Sequence, residues 1–331
     1  MLPYLGDRWG NANSIHSLGL ASHDAIEQAR TRIADLIGAD DPSQIFFTSG
    51  ATESNNWVLN DVSQVTISPF EHSAMREPAL RKHCTFLEHD GTELFRASLP
   101  TQMISVMAVN NEIGTQWNAL DYASAGTTVH SDATQAIGKL PFSVEGLDFV
   151  SASSHKFYGP KGAGFLFCRE FPPPPLILGG EQELGMRGGT LNVAGIVGMG
   201  EAARIASEEM ANDIDLARSC KAAVLSGLDG LSDMLVHGGP RTSPYILSVS
   251  FGGVEGESVV LEADSAGYAI SAGAACSSRS TEPSHVLTAL GIPPEYLRGT
   301  LRISFGRFSD VDEAARLAKK IRETVEMFRT L

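Results

Sequence analysis

Between Ser22 and Ile37 the apolar residues Ala25, Ile26, Ala29, Ile33, Leu36 and Ile37 recur with a helical period and share one face. That spacing predicts an amphipathic helix with Ser22 as its N-cap. A different pattern follows. Short, nearly unbroken apolar runs occupy Gln44–Thr48, Val65–Ser68, Met103–Val109, Thr127–Ser131, Leu147–Ala152 and Gly164–Cys168. Runs of that length and character read as strands buried on both faces. After the first of them, Gly50-Ala51-Thr52 turns into a short helix ending near Leu59. Strand, helix and strand in repetition predict an α/β fold with a mainly parallel sheet. The crossovers between His72 and Asn111 and between Asn111 and Asp132 are short, so a full helix is not expected in each.

Pro172–Pro175 form a stiff connector that cannot lie inside a helix. A long helical pattern then runs from about Ala194 to Leu228. Beyond it, Tyr245–Phe251, Glu257–Ala263, Leu301–Phe305 and Val311–Phe328 alternate strand and helix signals and predict a smaller α+β domain. The chain divides on this reading into an N-terminal segment, 1–15, a large domain, 16–205, and a small domain, 206–331, with a small-residue loop at 271–281.

With 331 residues, 43% of them hydrophobic, the chain can bury a large core. A formal net charge of −14 argues against nucleic-acid or anionic-membrane partners. No apolar run approaches the ~20 residues of a membrane span, and Met1-Leu2-Pro3-Tyr4-Leu5 does not read as a secretory signal. Cys84, Cys168, Cys220 and Cys276 lie far apart, without metal-ligand spacing. They imply a reducing, cytoplasmic setting, no disulfide framework and no metal site.

The candidate chemistry starts at Lys156, in Ser153-Ser154-His155-Lys156-Phe157-Tyr158-Gly159-Pro160. A strand-like run delivers this amine to a turn, and a partly desolvated lysine can condense with an aldehyde. Upstream, Asp132 and Gln135 follow a strand, where a buried carboxylate can pair with a pyridinium nitrogen and an amide with a ring hydroxyl. Together they point to pyridoxal phosphate. Thr48-Ser49-Gly50-Ala51-Thr52-Glu53-Ser54 places small and hydroxyl residues at a strand-to-helix turn, where backbone N–H groups favour a phosphate. An ordinary N-cap would read the same way in isolation. His72 follows a strand and can stack on a planar ring, as His155 can donate to a phosphate; both are equally compatible with structural roles. Arg302, inside an apolar strand, needs either an internal carboxylate or a substrate carboxylate. Cys276 sits among tiny residues with Arg279 nearby, a context that favours a reactive thiolate; the other three cysteines read as small buried hydrophobes.

The segments Thr48–Ser54, Val109-Asn110-Asn111-Glu112-Ile113-Gly114, Asp132-Ala133-Thr134-Gln135, Ser154-His155-Lys156 through Gly164, Gly185-Met186-Arg187-Gly188-Gly189-Thr190 and Ala275-Cys276-Ser277-Ser278 occur in this order. Together they resemble NifS/IscS-like cysteine desulfurases, of the class V aminotransferase family and fold type I, across nearly the whole chain. The cysteine loop followed by Glu282-Pro283-Ser284-His285-Val286-Leu287 resembles the group I branch. The resemblance implies a cytoplasmic pyridoxal phosphate-dependent homodimer that converts L-cysteine to L-alanine. Its sulfur would pass to Cys276 as a persulfide and on to a sulfur acceptor or iron–sulfur scaffold protein.

Carried over residue by residue, Lys156 would hold the cofactor and move the α-proton, and His72 would stack on the ring. Asp132 would meet the ring nitrogen, and Gln135 and Asn111 the ring hydroxyl, with Asn111 also near the substrate carboxylate. Ala51, Thr52, Ser153 and His155 would cradle the phosphate, with Thr190 reaching it from the second subunit, and Arg302 would clamp the substrate carboxylate. Family members usually open with a strand carrying an Asn-Asn-Ala-Thr-Thr-like segment, and this sequence starts after it. Two other readings stay open: a different class V enzyme, such as an aminotransferase or selenocysteine lyase, or a non-catalytic protein of the same fold.

Overall fold

The computed structural model describes residues 1–96, 101–273 and 283–330. These form two compact units. The first comprises Met1–Glu88, Leu94–Ala108 and Trp117–Met210, and the second His89–Glu93, Val109–Gln116 and Ala211–Leu331.

The first unit is built on a seven-stranded sheet. Its strands are β1 (Ile45–Thr48), β2 (Gln64–Ile67), β3 (His83–Phe86), β6 (Met103–Ser105), β7 (Thr128–Asp132), β8 (Phe149–Ser153) and β9 (Gly164–Cys168). β4 (His89–Asp90) and β5 (Glu93–Leu94) make a separate small hairpin. Across the large sheet the order is β1-β9-β8-β7-β6-β2-β3. From β3 to β8 every pairing is parallel, whereas β9 runs antiparallel to both β8 and β1. The sheet is thus mainly parallel, as the unbroken apolar runs predict. β1, β7, β8 and β9 are buried along almost their whole length.

Helix α1 spans Ser17–Ile37, five residues longer at its start than the periodicity indicates. Ser22 is not its N-cap. It lies buried inside the helix and donates to Leu18 O, while the His16 side chain caps the end by accepting from Gly19 N. The C-terminus closes on Gly38 in a left-handed conformation (φ 69°), which glycine adopts without steric penalty. Helix α2 (Ala51–Val58) leaves β1, and α3 (Ser73–Ala79) follows β2. The sequence reading expects helices on both faces of the sheet but not a full helix in the short stretch between Asn111 and Asp132, and the structure agrees. The β6-to-β7 connection holds a single 3₁₀ turn, Ala119–Asp121, and the β7-to-β8 connection holds no helix.

A core of Phe46, Trp57, Val58, Val65, Ile67, Met75, Met103 and Leu166 fills one side of this sheet. Burying a side chain such as Trp57, 1% exposed, contributes about 2–3 kcal/mol. Its indole N–H donates to the carbonyls of Pro173 and Pro174, and Asn60 Nδ2 donates to Pro174 O. The proline connector is therefore latched to the end of α2.

The chain passes from the first unit to the second within α4 (Val193–Leu228). The second unit carries an antiparallel sheet in the order β10 (Met234–Val236), β11 (Ile246–Phe251), β13 (Thr300–Ser304), β12 (Ser271–Ala272). Helices α5 (Gly256–Ser265), α6 (His285–Ala289), α7 (Pro294–Leu297) and α8 (Val311–Arg329) complete it. Helix α8 shows how its sequence specifies it. Asp310 caps Glu313 N, Asp312 and Glu313 occupy the positive end, Arg329 the negative end, and Ala314, Leu317, Ala318, Ile321 and Val325 are its buried stripe.

Three segments change sides relative to the sequence reading, residues 89–93 and 109–116 to the second unit and residues 206–210 to the first. Residues 109–116, placed in the large domain by their position in the chain, belong to the second unit. Bridges Val109↔Gln116 and Thr115↔Thr242, with Gln116 N donating to Arg241 O and Thr115 Oγ1 to Gly238 O, tie them there.

Candidate active site

In the first unit, strand direction gathers the predicted residues at one edge. β2, β6, β7 and β8 are parallel, so the segments after them emerge at the same, carboxyl-terminal edge of the sheet. His72 follows β2, Asp132 ends β7, and Ser153, His155 and Lys156 follow at the end of β8. β1 is antiparallel to β9, itself antiparallel to β8, so β1 also points to that edge and delivers the N-terminus of α2. Open α/β sheets bind ligands at this edge.

Asp132 is buried and held from two sides. Asn55 Nδ2 donates to Oδ2 at 2.8 Å and the Thr134 N–H to Oδ1 at 3.0 Å. Two other titratable groups are buried nearby. The Glu71 carboxyl accepts the Met107 N–H at 2.6 Å; burial first, and the Asp132 charge second, push its pKa well above the ordinary carboxylate range. His130 lies between the Ser105 and Ser151 hydroxyls at 2.8 and 3.0 Å, and burial brings its pKa down to about 4 although Asp132 opposes the shift. Both neighbours are thus driven toward their neutral forms.

Lys156 stands in a 3₁₀ turn, Ser154–Phe157, and is half-buried. Beside it His155 is exposed, its pKa lowered by desolvation and then by the positive charges of Lys156, Lys161 and Lys139. A local positive field therefore exists on a chain of net charge −14. Lys139 also donates to Gln135 Oε1 at 3.0 Å. At the start of α2, Gly50 offers no side chain to cap the helix, and Ala51 N donates to Ser153 Oγ at 2.8 Å. The turn is tight, since a Cβ on Gly164 would sit 2.5 Å from Gly50 Cα. Thr52, at the exposed first turn, is left facing solvent. Glu53 is bound by the Arg187 guanidinium through Nε and Nη2 at 2.8 and 3.1 Å, which ties α2 to the Gly185–Thr190 stretch. Thr190 itself is exposed. His72 caps α3, its Nδ1 accepting from Ala74 N at 3.1 Å.

The donor set fits pyridoxal phosphate. It offers an amine for an aldehyde, a buried carboxylate for a ring N–H, and a glycine-opened helix end in a positive field for a phosphate. Two buried polar atoms in the residues that hold Asp132, Asn55 Oδ1 and Thr134 Oγ1, have no hydrogen-bond partner among the described residues. The polar set around Asp132 is incomplete in the protein alone.

The second unit brings together Asn111 and Arg302. Arg302 Nη1 donates to the Asn111 carbonyl at 3.1 Å and Nη2 to Ser271 Oγ at 3.4 Å, while its buried Nε has no partner among the described residues. No carboxylate takes this guanidinium among the described residues. Cys276 lies outside the described residues. Of the other cysteines, Cys168 and Cys220 are buried as expected, and burial raises the pKa of both thiols. Cys84 is half-buried on edge strand β3 rather than in the core.

Residues 1–317 match the class-V aminotransferase family. The chain belongs to that family. Its members use pyridoxal phosphate, the cofactor the donor set fits. Among curated class-V relatives, the cysteine desulfurase IscS of Dictyoglomus turgidum is 37% identical, covering 100% of this chain and 91% of that protein. The cysteine desulfurase IscS of Methanosarcina thermophila is 35% identical over 100% of this chain and 89% of its own length. A solved NifS-like protein superposes with a TM-score of 0.88 at 32% identity, covering 98% of this chain and 94% of that one. The fold is accordingly fold type I. No helix among the described residues is long and apolar enough to cross a membrane.

Sequence reasoning missed Asn55, Glu71 and His130. Asn55 lies one turn past Thr52 in α2, the only signal that could have marked it; a buried glutamate looks like any surface charge until its neighbours are known.

Proposed function

We propose that this protein is a pyridoxal phosphate-dependent cysteine desulfurase that takes sulfur from L-cysteine, releases L-alanine and carries the sulfur on Cys276 as a persulfide. The observation that carries this reading is full-length kinship to relatives of that name, in a chain that keeps both an amine, Lys156, and a thiol, Cys276, in the family's motifs.

The bound cofactor would supply an electron sink that acidifies the α-proton of an amino acid. Lys156 contributes the amine that holds it and later moves that proton. Asp132 keeps negative charge at the ring nitrogen, oriented by Asn55 and Thr134, with His72 on the ring face and Gln135 and Asn111 toward its hydroxyl. The phosphate is taken by the N-terminus of α2 at Ala51 and Thr52 with Ser153 and His155, and by Thr190 of the partner subunit in a homodimer. Arg302 fixes the substrate carboxylate. The Cys276 thiolate then attacks the substrate sulfur. The carbon–sulfur bond breaks, its electron pair stays with carbon, and protonation gives L-alanine. The persulfide passes to a sulfur-acceptor protein, in a cytoplasmic iron–sulfur assembly or thiolation route.

Protein purified with pyridoxal phosphate should be yellow, and borohydride followed by peptide mass analysis should fix the cofactor on Lys156. L-cysteine should then yield alanine and one added sulfur at Cys276. A Cys276→Ala variant that still releases sulfide would refute the persulfide route, and a colourless protein would refute the cofactor itself.

A further inference from the structure

The loop that leads β2 into α3 is held at the carboxyl-terminal edge of the large sheet by a buried carboxyl group with no assigned role. β2 ends at Ile67, and beyond it Ser68 N donates to Ser105 O, continuing the parallel ladder onto β6. Past β6 the backbone donors alternate in direction. Val106 N and Ala108 N donate to His130 O and Asp132 O, while Met107 N points to the side that β2 has left. Glu71 fills that place. Its Oε1 accepts the Met107 N–H at 2.6 Å, where a strand carbonyl would otherwise sit.

The residues around Glu71 are fastened too. Glu71 N donates to Ser68 O and Phe70 N to Ser68 Oγ, and the Phe70 ring stacks on Trp117 with centroids 5.3 Å apart. His72 comes next, its Nδ1 accepting from Ala74 N, so a neutral ring carries its proton on Nε2. Glu71 is 0% exposed and Asp132 4%. Two ionised carboxylates in one dry region repel, and only one of them is well placed to keep its charge. Asp132 receives an amide and a backbone N–H, from Asn55 and Thr134. His130, two residues before Asp132, is held neutral between two hydroxyls and offers no countercharge. Burial and the Asp132 charge together drive Glu71 to its acid form.

We propose that Glu71 is a positioning residue: as an uncharged acid it completes the ladder beyond β6 and fixes His72 over the cofactor ring, adding no second negative charge beside Asp132. This deepens the reading above and rests on its placement of His72 on the ring face. Glu71 touches neither cofactor nor substrate; it acts through His72. A side chain without an oxygen there would leave the Met107 N–H buried with its hydrogen bond unmade, and the loop would shift to relieve it.

The test uses the full chain, with pyridoxal phosphate affinity followed by absorbance and carboxyl protonation by infrared difference spectroscopy at neutral pH. Glu71→Ala should weaken cofactor binding by about five- to ten-fold. Glu71→Gln keeps an oxygen for Met107 N and carries no charge, so binding should stay within about two-fold of wild type. The carboxylic-acid C=O band of the wild-type protein should disappear in that variant. In a His72→Ala background, Glu71→Ala should add less than about two-fold, because the group it positions is gone. Loss of affinity by about ten-fold in Glu71→Gln, or a wild-type protein without the acid band, overturns the proposal. A Glu71→Ala effect that persists in full without His72 overturns it as well. If Glu71→Ala does not fold, Glu71→Met fills the same volume without an oxygen and replaces it in each comparison. His72→Ala binding the cofactor as tightly as wild type overturns the ring-face role of His72 and this proposal with it. None of these readouts depends on sulfur transfer, so a chain that binds cofactor but gains no sulfur overturns the desulfurase reading alone.

Discussion

Replacing Arg302 by lysine isolates the value of a planar, two-pronged donor. In the free protein its Nη1 is committed to the Asn111 carbonyl and its Nη2 more loosely to Ser271 Oγ, while Nε is buried without a partner among the described residues. A substrate carboxylate meeting the Nε side of this fork gains charge-assisted hydrogen bonds in fixed geometry. Lysine keeps the charge and loses the fork. One hydrogen bond to a charged group is then forfeited, about 1.5–3 kcal/mol, which is about 10- to 150-fold in affinity. The assay is steady-state alanine formation across L-cysteine concentrations, with L-alanine binding followed by cofactor absorbance. KM and the alanine dissociation constant should rise together by that factor, with kcat much less affected. If both stay within about two-fold of wild type, Arg302 is not the carboxylate clamp, and its buried Nε requires another explanation.

Asp132→Asn removes the charge and keeps one acceptor oxygen for the Thr134 N–H, while its new NH2 group can no longer accept from Asn55; kcat should fall by about 100-fold or more, with cofactor still bound by absorbance, and near-normal turnover would refute the ring-nitrogen role. Glu183→Gln uncouples a buried pair, since Glu183 accepts from Arg30 Nη1 and Nη2 and from Phe47 N while held at φ 48°, ψ 47°. Arg30, 11% exposed, keeps Glu27 on its Nε, so losing the Glu183 charge should cost about 1.5–3 kcal/mol, seen as a lower urea midpoint. His237, bonded to Ser250 Oγ at 2.6 Å, has its pKa lowered by burial from 6.5 to about 4. Below pH 6.5 the unfolded chain takes up a proton that the native protein refuses, so this contribution is complete above 6.5 and lost as pH falls toward 4. Urea midpoints measured across that window should decline less steeply in His237→Gln; an unchanged slope would refute the assignment.

Much of the fold was legible because parallel strands buried on both faces leave unbroken apolar runs, and β2, β8 and β9 fall within two residues of them. The start of α1 was not. Leu18 and Leu20 are both exposed, so the apolar face that marks the rest of the helix is scrambled in its first turn, and a histidine does the capping. At the site, Lys156 and Asp132 were readable because each is a charged residue at the end of an apolar run. Asn55 and Glu71 were not, because what sets them apart is burial against residues distant in the chain. Asn111 was identified as a site residue but assigned to the large domain. Its membership of the second unit depends on Thr115 pairing with Thr242, more than a hundred residues away, which no local pattern encodes.

The shortened crossovers bear on how much of such a sheet chemistry requires. The alignment with the Dictyoglomus turgidum protein runs to 366 positions for a chain of 331 residues, so gaps open in this chain. A parallel connection normally covers the sheet with a helix, and β6-to-β7 does so instead with Trp117, Ala119 and Tyr122, all buried. Trp117 stacks on Phe70 at 5.3 Å, two residues before His72. A broad aromatic pair can exclude water over the area a helical turn would occupy, so the helix is dispensable there. The carboxyl-terminal ends of β2, β7 and β8 are not dispensable, since His72, Asp132 and Lys156 are aligned only by the parallel register of those strands. The cover over this connection is thus aromatic rather than helical, while the strands set the register and the edge it presents.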